Sequence, residues 1–351
     1  MYDVKNIGPN IRVNSKKLFN LCSNDYLGIK SPKISRKQNQ SSSRLIAGND
    51  ESFKILESKL AKHKSQDNAL IFPTGYMANL GVISSLIQKN DHVYSDEFNH
   101  ASLIEACKMT GAKITIFKHN DMSDLNSKIK TDSKRKFIIT EGIFSMDGDS
   151  ADLKIISEIS QKHDAITILD DAHGDFIIGK DGRGSANYFG VEKKIDIYTS
   201  SLSKGLGSFG GYIASQKNVI ELSINKSKSF IYTSALPSLF IDDAIKRFDS
   251  DREKRRKQLW ENTNYFSIGL KKIGYENESK SHIIPIMIGK EKLAIEFAIY
   301  LRKNGIFVHP IRYPTVPKNQ ARIRISITAL LTKKQIKFSL DVFDKARKKF
   351  Q

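Results

Sequence analysis

The sequence predicts an α/β protein, with a mostly parallel central sheet followed by a smaller α+β lobe. Three observations carry this expectation. Between about residues 50 and 215, stretches of helical period alternate with short apolar runs, the pattern of strands joined by helical crossovers. Each run ends in a polar or glycine-rich turn. After Pro237 the pattern gives way to long charged amphipathic segments and a few isolated strand-like runs.

Taken in order, Leu18-Phe-Asn-Leu21 reads as a short strand in an N-terminal arm of residues 1–45. Residues 46–236 read as a large α/β domain with five apolar runs: Ala69-Leu-Ile-Phe72, His92-Val-Tyr94, Phe137-Ile-Ile-Thr140, Ala165-Ile-Thr-Ile-Leu169 and Ile195-Asp-Ile-Tyr-Thr199. Chemically capable residues follow each: Thr74-Gly75-Tyr76, Asn99-His100, Ser145, Asp170 with His173, and Ser201 to Lys204. Ligands of open α/β sheets bind beyond the carboxyl ends of the strands, so all five sets are expected on one edge. Residues 237–351 read as a small α+β domain, with strands at His282–Ile288 and Arg322–Ile327 and a basic closing helix.

A length of 351 residues suggests two lobes, and 39% hydrophobic with 27% charged residues is the balance of a globular protein. The apolar runs are far shorter than the ~20 residues of a spanning helix. No apolar segment behind a basic one marks the N-terminus for export, so a cytoplasmic protein is expected. Cys22 and Cys107 lie far apart and read as reduced structural thiols, with no metal site. Basic residues exceed acidic ones by 57 − 38 = 19. The densest runs, 251–257 and 345–349, lack interleaved aromatics and read as solvated helix faces, with attraction of an acidic acyl carrier as a rival and nucleic acid disfavoured.

The chemistry centres on Ser201-Leu-Ser-Lys204-Gly-Leu-Gly-Ser-Phe-Gly-Gly211. Most lysines of so basic a chain are surface solubilisers, but hydroxyls can bind phosphate and glycines let a backbone approach a flat ligand. A partly desolvated lysine is also a better nucleophile. In Leu169-Asp170-Asp171-Ala172-His173-Gly174, Asp170 is the candidate to keep a pyridine nitrogen protonated, and His173 to hydrogen-bond a phenolic oxygen. A metal site there lacks a third ligand. Gly75 and Tyr76 open a helix and form an anion site. His100 is either a ring-stacking imidazole or a polar loop residue.

Together these segments resemble the α-oxoamine synthase family of pyridoxal 5'-phosphate (PLP) enzymes. The matching stretches are Ser23-Asn-Asp-Tyr-Leu-Gly28, Ser43-Arg-Leu-Ile-Ala-Gly48, Phe98-Asn-His-Ala-Ser-Leu-Ile-Glu105, Thr140-Glu-Gly-Ile-Phe-Ser-Met-Asp-Gly-Asp149, Asp170-Asp-Ala-His-Gly174, Gly182-Arg-Gly184, Ser203-Lys-Gly205, Tyr232-Thr-Ser234 and Pro314-Thr-Val-Pro317. They run in the family's order from about residue 20 to 330. The resemblance implies the aspartate-aminotransferase type of fold (fold type I) and a homodimer with active sites at the subunit interface. It makes Lys204 the Schiff-base lysine and Asp170 the partner of the ring nitrogen, with His173 and Ser145 on the ring's oxygen side and His100 stacked on the ring. Gly75, Tyr76 and Ser201 correspond to cofactor-anchoring positions, and Thr233 to a contact with the neighbouring subunit's phosphate. Arg324 matches a holder of the amino-acid carboxylate, with Thr315 and Asn24 on the substrate side.

The implied reaction is decarboxylative condensation of an amino acid with an acyl thioester carried on CoA or acyl carrier protein. The wording of Asp170–Gly174 and Pro314–Pro317 favours the alanine-using, pimeloyl-accepting branch of biotin synthesis. The alternative is a glycine-using relative of the 2-amino-3-ketobutyrate CoA ligase or 5-aminolevulinate synthase kind. A non-catalytic binding module of this fold would show decay of the lysine or aspartate, or an added DNA-binding domain. Two departures from the family pattern stand out. The approach to Arg44 reads Asn39-Gln-Ser-Ser-Ser43 where glycines are usual, and Asp175 stands where a small neutral residue is commoner.

Overall fold

A computed structural model describes residues 4–34, 42–129 and 135–350. The expected irregularity at 39–41 lies outside the described residues. By its internal contacts the chain divides into two compact units, residues 1–29 with 145–149 and 251–351, and residues 30–144 with 150–250. The N-terminal segment therefore groups with the C-terminal residues, and the later boundary falls at 250 rather than 236.

In chain order the strands are β1 (Val4–Ile7), β2 (Asn10–Val13), β3 (Lys16–Asn20), β4 (Asn68–Phe72), β5 (His92–Asp96), β6 (Lys113–Phe117), β7 (Lys136–Glu141), β8 (Ala165–Asp170), β9 (Ile197–Ser201), β10 (Gly211–Ser215), β11 (Ile283–Gly289), β12 (Ile306–Phe307), β13 (Pro310–Ile311) and β14 (Ala321–Ser326). The unit of residues 30–144 and 150–250 holds a seven-stranded sheet in the order β4-β10-β9-β8-β7-β5-β6. Only β10 runs against its neighbours. Alternate residues Leu70, Phe72, Phe137, Ile139, Ile168, Ile197 and Ile213 share one core with Val82 and Ile83 of helix Gly75–Leu86 and Leu103 of helix Ala101–Thr110. The intervening Ile71, Ile138, Leu169, Tyr198 and Tyr212 are buried as well. Burial of both faces explains the near-continuous apolar runs in the sequence.

Two strands of this sheet were not expected. The alternation of Lys113-Ile-Thr-Ile-Phe117 belongs to a half-exposed edge strand, a weaker signal than a fully buried one. Gly211-Tyr-Ile-Ala-Ser215 follows a glycine-rich loop and reads as its continuation, yet it fills the gap between β4 and β9. The last central strand lies two residues later than expected, at Ile197–Ser201, which places Ser201 on its final residue.

The other unit carries two small sheets. Strands β1, β2 and β3 form an antiparallel meander, and β12 adds to β3 in parallel. This sheet closes over Ile11, Val13, Leu18 and Phe307. The second is antiparallel, in the order β11-β14-β13. The closing helix Lys333–Phe350 is amphipathic: Ile336, Ser339, Val342, Phe343 and Ala346 are buried, and its lysines are mostly exposed. That arrangement matches the solvated basic face expected from composition.

Beneath the loop after β8 lies a buried charged cluster. Lys64 Nζ, its side chain 1% exposed, sits 2.8 Å from Asp171 Oδ2 and 2.7 Å from Asp175 Oδ1. His63 Nε2 lies 3.0 Å from the same Asp175 oxygen, while Ser200 Oγ (2.8 Å) and Tyr212 OH (2.5 Å) donate to the other. Burial by itself raises the Asp175 pKa, but Lys64 and His63 outweigh it and hold the carboxyl well below the usual range. Next to it Phe176 adopts φ +64°, a left-handed conformation costly for a bulky residue, and its ring stacks on His63 at 4.8 Å. Lys64→Met leaves two buried carboxylates without their ammonium and is expected to cost about 3–5 kcal/mol in urea unfolding. A loss under about 1 kcal/mol, the worth of an exposed ion pair, would contradict a buried bridge.

Candidate active site

Six of the seven central strands point the same way, so their carboxyl ends lie along one edge of the sheet. At that edge a pocket of about 210 Å³ is lined by Thr74, Gly75, Tyr76, Asn79, His100, Ser102, Glu141, Asp170, Ala172, Ser200, Ser201 and Lys204. Members of the sets expected after β4, β5, β8 and β9 thus line one pocket, whereas Asn99 bonds Ser95 and the Ile139 carbonyl and is not part of its lining.

Helix Gly75–Leu86 forms one end of it. Thr74 caps the helix, its side chain accepting from Met77 N–H, so the N–H groups of Gly75 and Tyr76 head the helix with no intrahelical partner of their own. A Cβ on Gly75 would stand 3.1 Å from that of Ser201, and one on Gly211 would stand 2.3 Å from Gly75 N. Glycine at both positions lets the helix start and β10 close together, leaving an anion cradle bounded by Ser201. The Tyr76 hydroxyl hydrogen-bonds Glu105.

At the opposite wall, Asp170 Oδ2 accepts from Asn79 Nδ2 at 2.7 Å and Oδ1 from Ala172 N–H at 3.0 Å. Asn79 Nδ2 also donates to Ser102 Oγ at 2.9 Å, and Ser102 Oγ lies 2.8 Å from His100 Nδ1. Asp170 and His100, expected to face the ring's nitrogen and its plane, are therefore joined by two residues not singled out in the sequence. Asn79 carried a signal: it lies four residues after Gly75, on the same helical face. Burial lowers the His100 pKa, and Lys204 adds to this against the pull of Asp170, which leaves a neutral imidazole.

Lys204 Nζ lies 2.9 Å from His173 Nε2, joining the two loops that follow β8 and β9. Ser201 Oγ, 2.8 Å from Ser203 Oγ, borders the cradle. The chemistry of the pocket suits a molecule that carries a phosphate, a ring nitrogen and a carbonyl. The pocket has a helix end for a phosphate, a carboxylate for a protonated ring nitrogen and an amine for a carbonyl.

Among the remaining expected residues, Thr233 lies after helix Lys228–Ile231 and is not part of the pocket lining. Ser145, Asn24 and Arg324 belong to the other unit and meet there. Arg324 donates through Nε to the Ser145 carbonyl and through both terminal nitrogens to Asn24 Oδ1, at 3.2 and 3.3 Å. Tyr26 OH, a third partner at 3.2 Å, went unnoticed in the sequence. Thr315 is exposed in a turn, its N–H bonded to the Arg312 carbonyl. Among the described residues no group of three His, Cys, Asp or Glu side chains is arranged to hold a metal, and no helix is long and apolar enough to cross a membrane.

The chain resembles known proteins over nearly its whole length. The family model for aminotransferases of class I and II matches residues 16–343. An 8-amino-7-oxononanoate synthase of Thermoanaerobacter pseudethanolicus is 38% identical, over 97% of this chain and 90% of that protein. An 8-amino-7-oxononanoate synthase 1 of Bacillus subtilis is 37% identical, over 98% and 92%. Among solved structures, a serine palmitoyltransferase of S. paucimobilis with bound PLP superposes with TM-score 0.94 at 27% identity, over 100% of this chain and 92% of that one. An 8-amino-7-oxononanoate synthase of Francisella tularensis gives 0.79 at 28%, over 95% and 98%. The parallel sheet, the pocket at its carboxyl edge and these likenesses agree, and the chain belongs to the aminotransferase class I and II family, with the 8-amino-7-oxononanoate synthases as its relatives.

Proposed function

We propose that this protein is a PLP-dependent acyltransferase that condenses L-alanine with a pimeloyl thioester and releases carbon dioxide, the thiol and 8-amino-7-oxononanoate. The observation that carries the reading is Lys204 Nζ, 2.9 Å from His173, in a pocket that also holds Asp170 and a helix N-terminus. Curated relatives 37–38% identical are named for this product.

When bound, PLP supplies an aldehyde that exchanges amines and a ring that takes up the electron pair left at the amino acid's α-carbon. Gly75, Tyr76 and Ser201 hold the phosphate by N–H and hydroxyl donors. Asp170 keeps the ring nitrogen protonated, and its two fixed hydrogen bonds hold the carboxylate in place. Lys204 would hold the cofactor through its amine, and as a free amine it would take the α-proton as general base. His173, 2.9 Å from it, would aim that amine, and His100 would offer its neutral imidazole to the ring. Arg324, oriented by Asn24 and Tyr26, takes the amino-acid carboxylate. In the overall exchange a bond forms between the α-carbon and the acyl carbon. The thioester C–S bond and the bond from α-carbon to carboxylate break, and a proton returns to the α-carbon.

We also propose a homodimer. Ile46 and Tyr232 are each 81% exposed, and the Ala235 N–H bond to the Ser42 carbonyl (3.1 Å) ties their segments together. Exposed apolar side chains concentrated in one region mark an association surface.

Lys204→Ala is expected to abolish the visible absorbance of bound PLP and to lower turnover by roughly 10²–10⁴-fold. A variant with normal absorbance and turnover would sink the assignment. Offering alanine, glycine and serine with a panel of acyl thioesters, while following carbon dioxide release, identifies the substrates; a response to glycine but not alanine points to the glycine-using relatives. Arg324→Lys is expected to raise KM for alanine by roughly tenfold or more with a smaller change in kcat, because a bidentate fork becomes a point charge. Replacing Ile46 and Tyr232 together with serine is expected to shift the sedimentation coefficient to that of a monomer.

A further inference from the structure

Glu141 ends β7 inside the cofactor pocket, and no step of the proposed reaction uses it. Its Cα pairs across the sheet with that of Asp170, the last residue of β8, so two carboxyl groups leave adjacent parallel strands side by side. Both line the same pocket. Their partners differ: Asp170 accepts from Asn79 and Ala172, whereas the Glu141 carboxyl accepts the His100 backbone N–H and its Oε1 is buried with no hydrogen-bond partner among the described residues.

We propose that Glu141 is a positioning residue of the cofactor pocket that works as a neutral acid, holding His100 through its main chain beside the carboxyl group of Asp170. The inference rests on the PLP reading for the role of Asp170 but not for the state of Glu141. Two carboxylates side by side with little water cannot both stay ionised cheaply, and the proton settles on the one with fewer donors. Here Asp170 has two fixed donors and Glu141 has one.

The charged groups facing Glu141 are Asp170 on β8, Asp96 on β5 and Lys204 on the loop after β9, with the His100 ring on the segment after β5. Burial is the largest influence and raises the Glu141 pKa, Asp170 and Asp96 raise it further, and Lys204 with the His100 N–H only partly offsets them. A neutral Glu141 has two consequences. The pyridine nitrogen sees one full carboxylate in a fixed position, rather than a charge shared between two. The segment that presents His100 to the ring face is pinned by a group that does not itself compete for that nitrogen's proton.

The linkage sign gives a test independent of turnover. A glutamate whose folded pKa is raised holds its proton in the folded state and loses it in the unfolded state above about pH 4.3. Wild type therefore loses stability relative to a permanently neutral isostere as pH rises from that value towards the folded pKa. Wild type, Glu141→Gln and Glu141→Leu are compared as PLP-loaded proteins for thermal midpoint between pH 5 and 8, for the pH midpoint of cofactor absorbance, and for the PLP dissociation constant.

Glu141→Gln keeps an acceptor for the His100 N–H. It is expected to gain steadily on wild type in thermal midpoint as pH rises, with an unchanged absorbance midpoint and PLP affinity within about threefold, less than a typical hydrogen bond is worth. Glu141→Leu unpairs the His100 N–H and is expected to weaken PLP binding on the order of tenfold. The proposal is overturned if the glutamine variant shows no pH-dependent gain, if it shifts the absorbance midpoint as an ionised Glu141 requires, or if the leucine variant binds PLP as wild type does. Should wild type bind no PLP at all, the cofactor reading fails, and the pH dependence of the midpoints still decides the state of Glu141.

Discussion

The loop that follows Asp170 and carries His173 rests on one buried ammonium. Lys64 Nζ lies within 2.8 Å of both Asp171 and Asp175, the residues interleaved with the two that face the pocket. Asp171 also accepts from the backbone N–H and the hydroxyl of Ser185, so the loop is anchored at two points on its far side. A charged pair away from water is costly to build and more costly to break, which makes it a poor source of net stability and a good source of a single fixed geometry. Here that geometry fixes Asp171 and Asp175, which lie on either side of His173 in the chain.

This cluster gives Asp175 a physical meaning. Seen in the sequence it adds a charge next to the site where a neutral residue is commoner. In the structure the charge points away from the pocket, into Lys64, His63, Ser200 and Tyr212. His63 ends the helix Glu51–His63 and Lys64 caps it, and nothing near them in sequence reveals a partner more than a hundred residues later.

The two sides of the pocket are built on different principles. At the Gly75 end the protein offers backbone N–H groups and hydroxyls, which bind an anion without adding charge of their own. At the Asp170 end it offers ionisable groups whose states are set by burial and by one another. His100 is joined to Asp170 through Ser102 and Asn79, and Lys204 to His173, so the ionisable groups of this end are held in pairs.

Much of this was legible in the sequence, because buried parallel strands write their position as apolar runs and the reactive residues follow those runs directly. The motif around Lys204, the Asp170-x-x-His173 pair and the helix start at Gly75 were each local, and the common direction of the strands was enough to bring them to one edge. Strand β10 was hidden because its glycines also served the Lys204 loop, and β6 because an edge strand is only half buried. Ser102, which with Asn79 ties Asp170 to His100, is an unremarkable polar residue until the two helices are packed side by side, and Asn79 shows only its spacing from Gly75. The sequence by itself determined which residues are chemically able, since that depends on side-chain type and short spacing. Only the tertiary structure decided which charges each of them feels, because a pKa and a hydrogen-bond partner are set by whatever the fold brings within a few ångströms, and Lys64, Asp175 and Glu141 acquire their meaning there.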